Sequence, residues 1–181
     1  IHATWRIESA RLIAGLTRVV RDVALAEELA QDALVAALEQ WPTSGVPKNP
    51  GAWLMGTAKH RAIDLVRRER MIARKHEALE REPEPDAAEA PETPAQIGDD
   101  LLRLMLIACH PILSTEARVA LTLRLLGGLT TEEIARAFVV PAPTIAQRIV
   151  RAKRSLADAK APFEEPSGVD LEARITSVLE V

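Results

Sequence analysis

Thr144, Gln147, Arg148 and Arg151 stand at i, i+3, i+4 and i+7, the spacing that aligns residues along one side of a helix. Their chemistry is recognition rather than bond-making. Gln can bond adenine through both amide atoms, and Arg can bond guanine or phosphate, so these types suit a DNA major groove. A solvated surface helix has the same composition, and on this stretch alone both readings stand. A second concentration of charge lies at Lys59, Arg61, Arg67, Arg68, Arg70, Arg74 and Lys75, opposed only by Asp64 and Glu69. Other constellations are weaker. Cys109-His110 is an adjacent pair without the four-ligand spacing of a zinc site. Gly127-Gly128 lacks the Lys of a phosphate-binding loop. No Ser/His/Asp order has supporting context, and paired carboxylates occur mainly in a segment that cannot fix their geometry. The sequence therefore predicts no enzyme, no metal and no cofactor.

The elements that position the first face are legible. Thr130 and Glu133 have the S/T-x-x-E spacing in which each side chain satisfies the other residue's backbone N–H, so a helix starts there. Pro141 and Pro143 interrupt it, and Pro143 fits the first turn of the next helix. In that second helix Ile145, Ile149, Ala152 and Leu156 face inward at i, i+4, i+7 and i+11. A short helix, a tight turn and a second helix with a Thr/Gln/Arg face form the pattern of helix-turn-helix DNA binding.

The rest of the chain reads as helices. Its 181 residues hold one or two small domains, and 48% hydrophobic against 27% charged residues supports a core. Few aromatics with abundant Ala, Leu and Arg favour helix over sheet. One cysteine, Cys109, excludes an internal disulfide and fits a reducing compartment. No apolar run approaches the ~20 residues of a membrane span, and the charged, periodic opening is no signal peptide. The expected location is cytoplasmic, and a start at Ile1 predicts that the native start lies upstream.

Helices are expected over Trp5–Arg21, with Leu12, Leu16 and Val19 on one face, and over Ala24–Trp41. In the latter Ala30, Leu34, Leu38 and Trp41 point inward, and Glu27, Glu28, Gln31, Asp32 and Glu39 outward. Asn49-Pro50 is a cap-then-Pro start for a basic helix to Arg74. Glu77–Asp100 is acidic and Pro-rich, the composition of a linker. A helix resumes at Asp99, Ser114 caps another, and Asp170–Val181 is amphipathic again. The fold class is all-α: two small helical domains joined by an acidic linker, the second a four-helix unit ending in the helix-turn-helix. The divisions are 1–76, a linker over 77–98, 99–161 and a tail over 162–181.

Ala26–Trp41, the AWL…D-x-x-R-R stretch of Pro50–Arg70 and Ser114–Leu156 occur in the order and spacing of extracytoplasmic-function (ECF) RNA polymerase sigma factors, which the chain resembles. The stretch from Asp99 to Phe138 is similar to the subgroup with a C-terminal helical extension, of which Asp170–Val181 would be the opening. The resemblance implies a protein that binds core RNA polymerase and recognises promoter −10 and −35 elements. By matching position, Glu28, Gln31 and Asp32 would dock on polymerase. Lys48, Asn49 and Trp53 would help capture an unstacked −10 base, and Lys59, His60, Arg61, Arg67 and Arg68 would line the −10 strand. Thr144, Gln147, Arg148 and Arg151 would read −35, with Lys153 and Arg154 nearer its backbone. The partners implied are core RNA polymerase and promoter DNA, with an anti-sigma factor or a C-terminal regulatory extension as further candidates. Val139 stands where the family usually has Gly, and Pro141 where it usually has the Ser cap, so the turn must differ locally. The rival readings are a polymerase-independent helix-turn-helix regulator and a helical adaptor that binds only protein.

Overall fold

A computed structural model of the chain describes residues 1–76, 94–159 and 169–181. These residues form helices α1 (His2–Val20), α2 (Val23–Ser44), α3 (Pro50–His76), α4 (Pro94–Ala108), α5 (Thr115–Leu125), α6 (Thr131–Phe138), α7 (Ala142–Asp158) and α8 (Val169–Leu179), with no strand among them. The all-α architecture is as expected. None of these helices is long and apolar enough to cross a membrane.

Local signals set several boundaries. α1 stops where Arg21 turns left-handed (φ 55°), and the Asp22 carboxylate then accepts from the Leu25 N–H at 2.9 Å to start α2. Asn49 caps α3 by accepting from the Ala52 N–H at 3.0 Å, and Pro50 follows in the first helical position. Ser114 caps α5 through the Ala117 N–H. The helix expected from Asp99 begins earlier, at Pro94, because proline is well placed at a helix start and Ala95–Gly98 then continue the turn. The greater part of the predicted linker, 77–93, lies outside the described residues.

α1 packs against α2, α3 and α4. A run of Ala26, Ala30, Ala33 and Ala37, all nearly sealed from solvent, forms α2's inner face. This small-residue stripe ends on Trp41, which is 4% exposed. The stripe turns Leu38 the other way: expected inside, it is 52% exposed. Glu27, expected outside, is 5% exposed. Leu12, Leu16, Leu54, Leu104, Ile107, Leu121, Leu125, Ile134 and Ile145 belong to one continuous core that runs from α1 to α7. Truncating a sealed leucine such as Leu104 or Leu121 to Ala removes about 2–5 kcal/mol of stability.

The two halves are thus packed together rather than merely tethered. Arg18 on α1 bonds Asp100 on α4 at 3.1 Å, with the Asp100 side chain 4% exposed. Gly128, at φ +62°, lies so close to α1 that an added Cβ would sit 3.1 Å from Ser9 Oγ. α8 is fixed by two buried arginines. Arg118 donates to the Ser177 carbonyl and the Glu180 carboxylate, and Arg174 donates to the Leu106 carbonyl. Cys109 is buried, with Sγ 3.5 Å from Thr122 Oγ1, and His110 accepts from the Ile112 N–H in the α4–α5 turn. Among the described residues no cluster of three or more His, Cys, Asp or Glu could hold a metal.

Candidate nucleic-acid interface

α6 and α7 form the expected helix-turn-helix. Glu133 N–H donates to Thr130 Oγ1 at 3.2 Å, and Thr130 N–H donates to Glu133 Oε2 at 2.8 Å, completing the capping box. That backbone donor, above all, holds the Glu133 carboxyl below the ordinary carboxylate range. α6 ends at Val139 in the left-handed region (φ 54°, ψ 43°), and Val140 N–H reaches back to the Ala135 carbonyl at 3.0 Å. Val139 therefore takes the conformation that suits glycine, at a cost of about 1–2 kcal/mol for a side chain bearing Cβ. It is 90% exposed, so no packing offsets this strain. Pro141 opens α7 without a side-chain cap, and its carbonyl accepts from the Thr144 N–H at 2.9 Å.

On α7, Ile145, Ile149, Ala152 and Leu156 are buried, as their spacing requires. Thr144, Gln147 and Arg151 are exposed on the opposite side. Arg148 is half-buried, its guanidinium stacked 5.4 Å from the centre of the Phe138 ring, a cation–π contact that fixes the arginine's rise from the helix. The four residues are brought together: they line one wall of a groove of about 390 Å³ whose other wall is Ile112–Ser114 and Ala117. Arg154 is exposed and pairs loosely with Asp158 at 3.7 Å. Lys153 departs from expectation. It points into the molecule and bonds the Glu27 carboxylate of α2.

The second basic face lies on α3. Leu54, Ala58 and Ala62 are buried against α1 and α2, which leaves His60, Arg61, Arg67 and Arg68 exposed and Lys59 half-exposed on the other side. His60 Nδ1 lies 2.7 Å from the Gly56 carbonyl, and Arg61 pairs with Asp32 of α2 at 2.9 Å across the surface. Lys48 and Asn49 are exposed at the tip before α3. Trp53 is half-buried, its ring edge-on to Trp41 with centroids 5.4 Å apart.

α2 presents a third face. Glu28, Gln31 and Asp32 are exposed, and Val35 and Leu38, each about half exposed, continue the same side of the helix. The sequence pattern does not single out Val35, and it places Leu38 inside, because a run of Ala and Leu allows more than one inner face.

Sequence reasoning also misses the junction at Glu27. Its carboxylate accepts from Arg124 Nε at 2.7 Å, from Lys153 Nζ and from Gln31 Nε2 at 3.0 Å. Burial pushes this carboxyl up, but the opposing charges and hydrogen bonds of Lys153 and Arg124 outweigh it and hold Glu27 below its ordinary value.

Residues 7–71 match the family described as Sigma-70 region 2, and residues 103–156 match Sigma-70, region 4. A SigK ECF RNA polymerase sigma factor of Mycobacterium sp. (strain KMS) is 31% identical over 147 residues, covering 77% of this chain and 72% of that protein. The chain belongs to the ECF sigma factor family. SigK of Mycobacterium ulcerans is 29% identical over 150 residues, covering 81% of this chain and 78% of that protein. An uncharacterised protein of Rhizobium meliloti is 39% identical over 167 residues, which is 91% of this chain but 40% of that relative's length. As a sigma factor, the chain is of the class that directs promoter recognition and transcription initiation. The region 2 match falls on α1–α3, and the region 4 match runs from within α4 to α7.

Proposed function

We propose that this sigma factor docks on core RNA polymerase through the α2 face of Glu28, Gln31, Asp32, Val35 and Leu38, engages the −10 element through α3 and the tip before it, and reads −35 through α7. The observation that carries the reading is the division of α7: Ile145 and Ile149 are sealed in the core while Thr144, Gln147 and Arg151 stand in solvent. A helix so oriented can enter a major groove without disturbing its own packing.

On α3, Arg61, Arg67 and Arg68 supply charges that follow a phosphate chain, with His60 beside them, so their binding is sensitive to salt. Lys48 and Asn49 stand where an unstacked base would arrive. Trp53, edge-on to Trp41, supports that tip from beneath rather than stacking on the base. The acidic and apolar ends of the α2 face suit a partner with a cationic ridge beside an apolar one, with charge steering the encounter. Bond-making belongs to the polymerase; this chain supplies position and specificity. A regulator acting without polymerase would leave the α2 and α3 faces without a role.

The test is transcription reconstituted with purified core polymerase. A promoter-dependent transcript should appear with this chain. Leu38→Asp should abolish both the transcript and co-purification with polymerase while leaving binding to isolated −35 duplex unchanged. Promoter-dependent transcription that survives Leu38→Asp would remove α2 from the docking surface.

A further inference from the structure

Phe138 ends α6, and the apolar spacing of that helix accounts for its packing against the core with Ile134. It does not account for what the ring does on its other side. Arg148 of α7 lies over it, with the guanidinium carbon 5.4 Å from the ring centre. We infer that Phe138 is a positioning residue for promoter recognition: it holds Arg148 against its ring and leaves Nε and Nη2 of that arginine for a guanine of the −35 element. The inference rests on the proposed reading of −35 by α7.

The way Arg148 is held decides what it can still bind. Arginine is long and rich in rotamers, and a partner that fixes it beforehand removes that ordering cost from the complex. A carboxylate would fix it too, but would consume N–H donors and offset the charge that DNA attracts. An aromatic ring draws the cation through its quadrupole and consumes no donor. Nη1 is sealed from solvent and meets no acceptor, so no hydrogen bond holds that end of the fork. Neither Nε nor Nη2 is sealed in this way. Their two N–H groups run parallel, the arrangement that fits O6 and N7 of guanine.

The acid that feels Arg148 is engaged elsewhere. Glu116 on α5 has its carboxyl held low first by its own backbone N–H and then by the Ser114 hydroxyl, with the charge of Arg148 a smaller cause. Those contacts keep it at the start of α5, exposed to solvent. Gln147 and Arg151 stand exposed on the same side of α7, whereas Arg148 is half-buried. Arg148 is thus the arginine of that face whose direction is set before DNA arrives.

The experiment uses holoenzyme assembled from core polymerase and the full chain. It selects from duplexes randomised across −35, and the bound fraction is sequenced. Wild type should enrich guanine at the position that Arg148 reads. Arg148→Lys keeps the charge but loses the fork, so it should lose that enrichment and no other. Phe138→Leu should lower the same enrichment by about fivefold, the strength of an exposed cation–π contact. Phe138→Tyr keeps the ring and should restore it. Trifluorophenylalanine at position 138 keeps the shape and packing but strips the ring's negative face, and it should act as Phe138→Leu does. The salt dependence of binding should be unchanged in all three Phe138 variants, because the number of cations is the same. Phe138→Leu added to Arg148→Lys should cost no further preference, as expected when one residue acts through the other.

Enrichment lost in Arg148→Lys but kept in both Phe138→Leu and the trifluoro variant overturns the positioning role and leaves the reading by α7 intact. A trifluoro variant that binds every sequence equally less well also overturns it, since the ring would then only pack. A base other than guanine at the Arg148-dependent position overturns the assigned ligand. An Arg148→Lys chain with wild-type preference overturns the inference as well. Only if Arg151→Lys is silent too does the −35 reading of α7 itself fail.

Discussion

The two basic helices carry similar residues in different settings. On α3 the side chains of His60, Arg61, Arg67 and Arg68 stand in water, and the Arg61–Asp32 pair is itself on the surface. On α7 the cations are sorted: Arg151 and Arg154 outward, Arg148 leaning on Phe138, Lys153 turned in to Glu27. A chain that follows phosphates needs charge but little register, because phosphates repeat. A helix that reads base edges must hold its side chains to a fraction of an ångström. The contrast in anchoring therefore tracks a contrast in proposed roles, with α3 gripping and α7 reading.

The largest expected effect breaks the comparison at the reading end. Arg151→Glu should lower transcription from a −35-dependent promoter by well over tenfold, and Gln147→Ala should relax preference at one −35 position by about 1–3 kcal/mol. Affinities measured across single-base variants check both. On α3, Arg67→Gln with Arg68→Gln should weaken binding to all −10 sequences alike and flatten the salt slope by about 0.7 per charge removed if the strand is single. A change of sequence preference from α3, or none from α7, would collapse the distinction.

The next effect concerns the inward cation of α7. Glu27 has a folded value below its ordinary 4.5. Its contribution to folded stability is therefore fully present above that ordinary value and is lost as pH falls through the depressed one. The groups facing it are Gln31 from α2, Arg124 from α5 and Lys153 from α7, so only the carboxylate titrates in that range. Melting temperature should fall with acidification below about pH 5, and Glu27→Gln should make that fall shallower. Equal slopes in the two proteins would deny Glu27 this role.

The smallest effect is in the turn that aims α7. Val139→Gly should raise stability by about 0.5–1 kcal/mol, since it relieves left-handed strain while loosening the unfolded chain. Chemical denaturation measures this, and −35 preference should not change, because Thr144 is oriented by the Pro141 carbonyl downstream of the strain.

What can be read from the sequence follows the range of the interactions. The Thr130–Glu133 cap, the Asn49-Pro50 start and the two faces of α7 depend on residues within a few turns of one another, and periodicity exposes them. Val139 is legible as a poor fit to its turn, and it adopts the strained conformation. Glu27 is not legible. Its cationic partners are 97 and 126 residues away, and from α2 alone it is one more acid in an acidic helix. Leu38 and Val35 are obscured for the opposite reason: a helix rich in alanine can pack through its small residues and leave its large ones outside. Lys153 falls outside the stripe of Arg148 and Arg151, and only the packed seam shows where it goes.

The decisive experiment is transcription by core polymerase and this chain from a promoter pool randomised at both elements, with and without Arg151→Ala. If α7 reads −35, promoter-dependent transcripts appear and the substitution changes their preference at −35 alone. Preference that changes at −10, or that is unaltered throughout, would contradict that assignment.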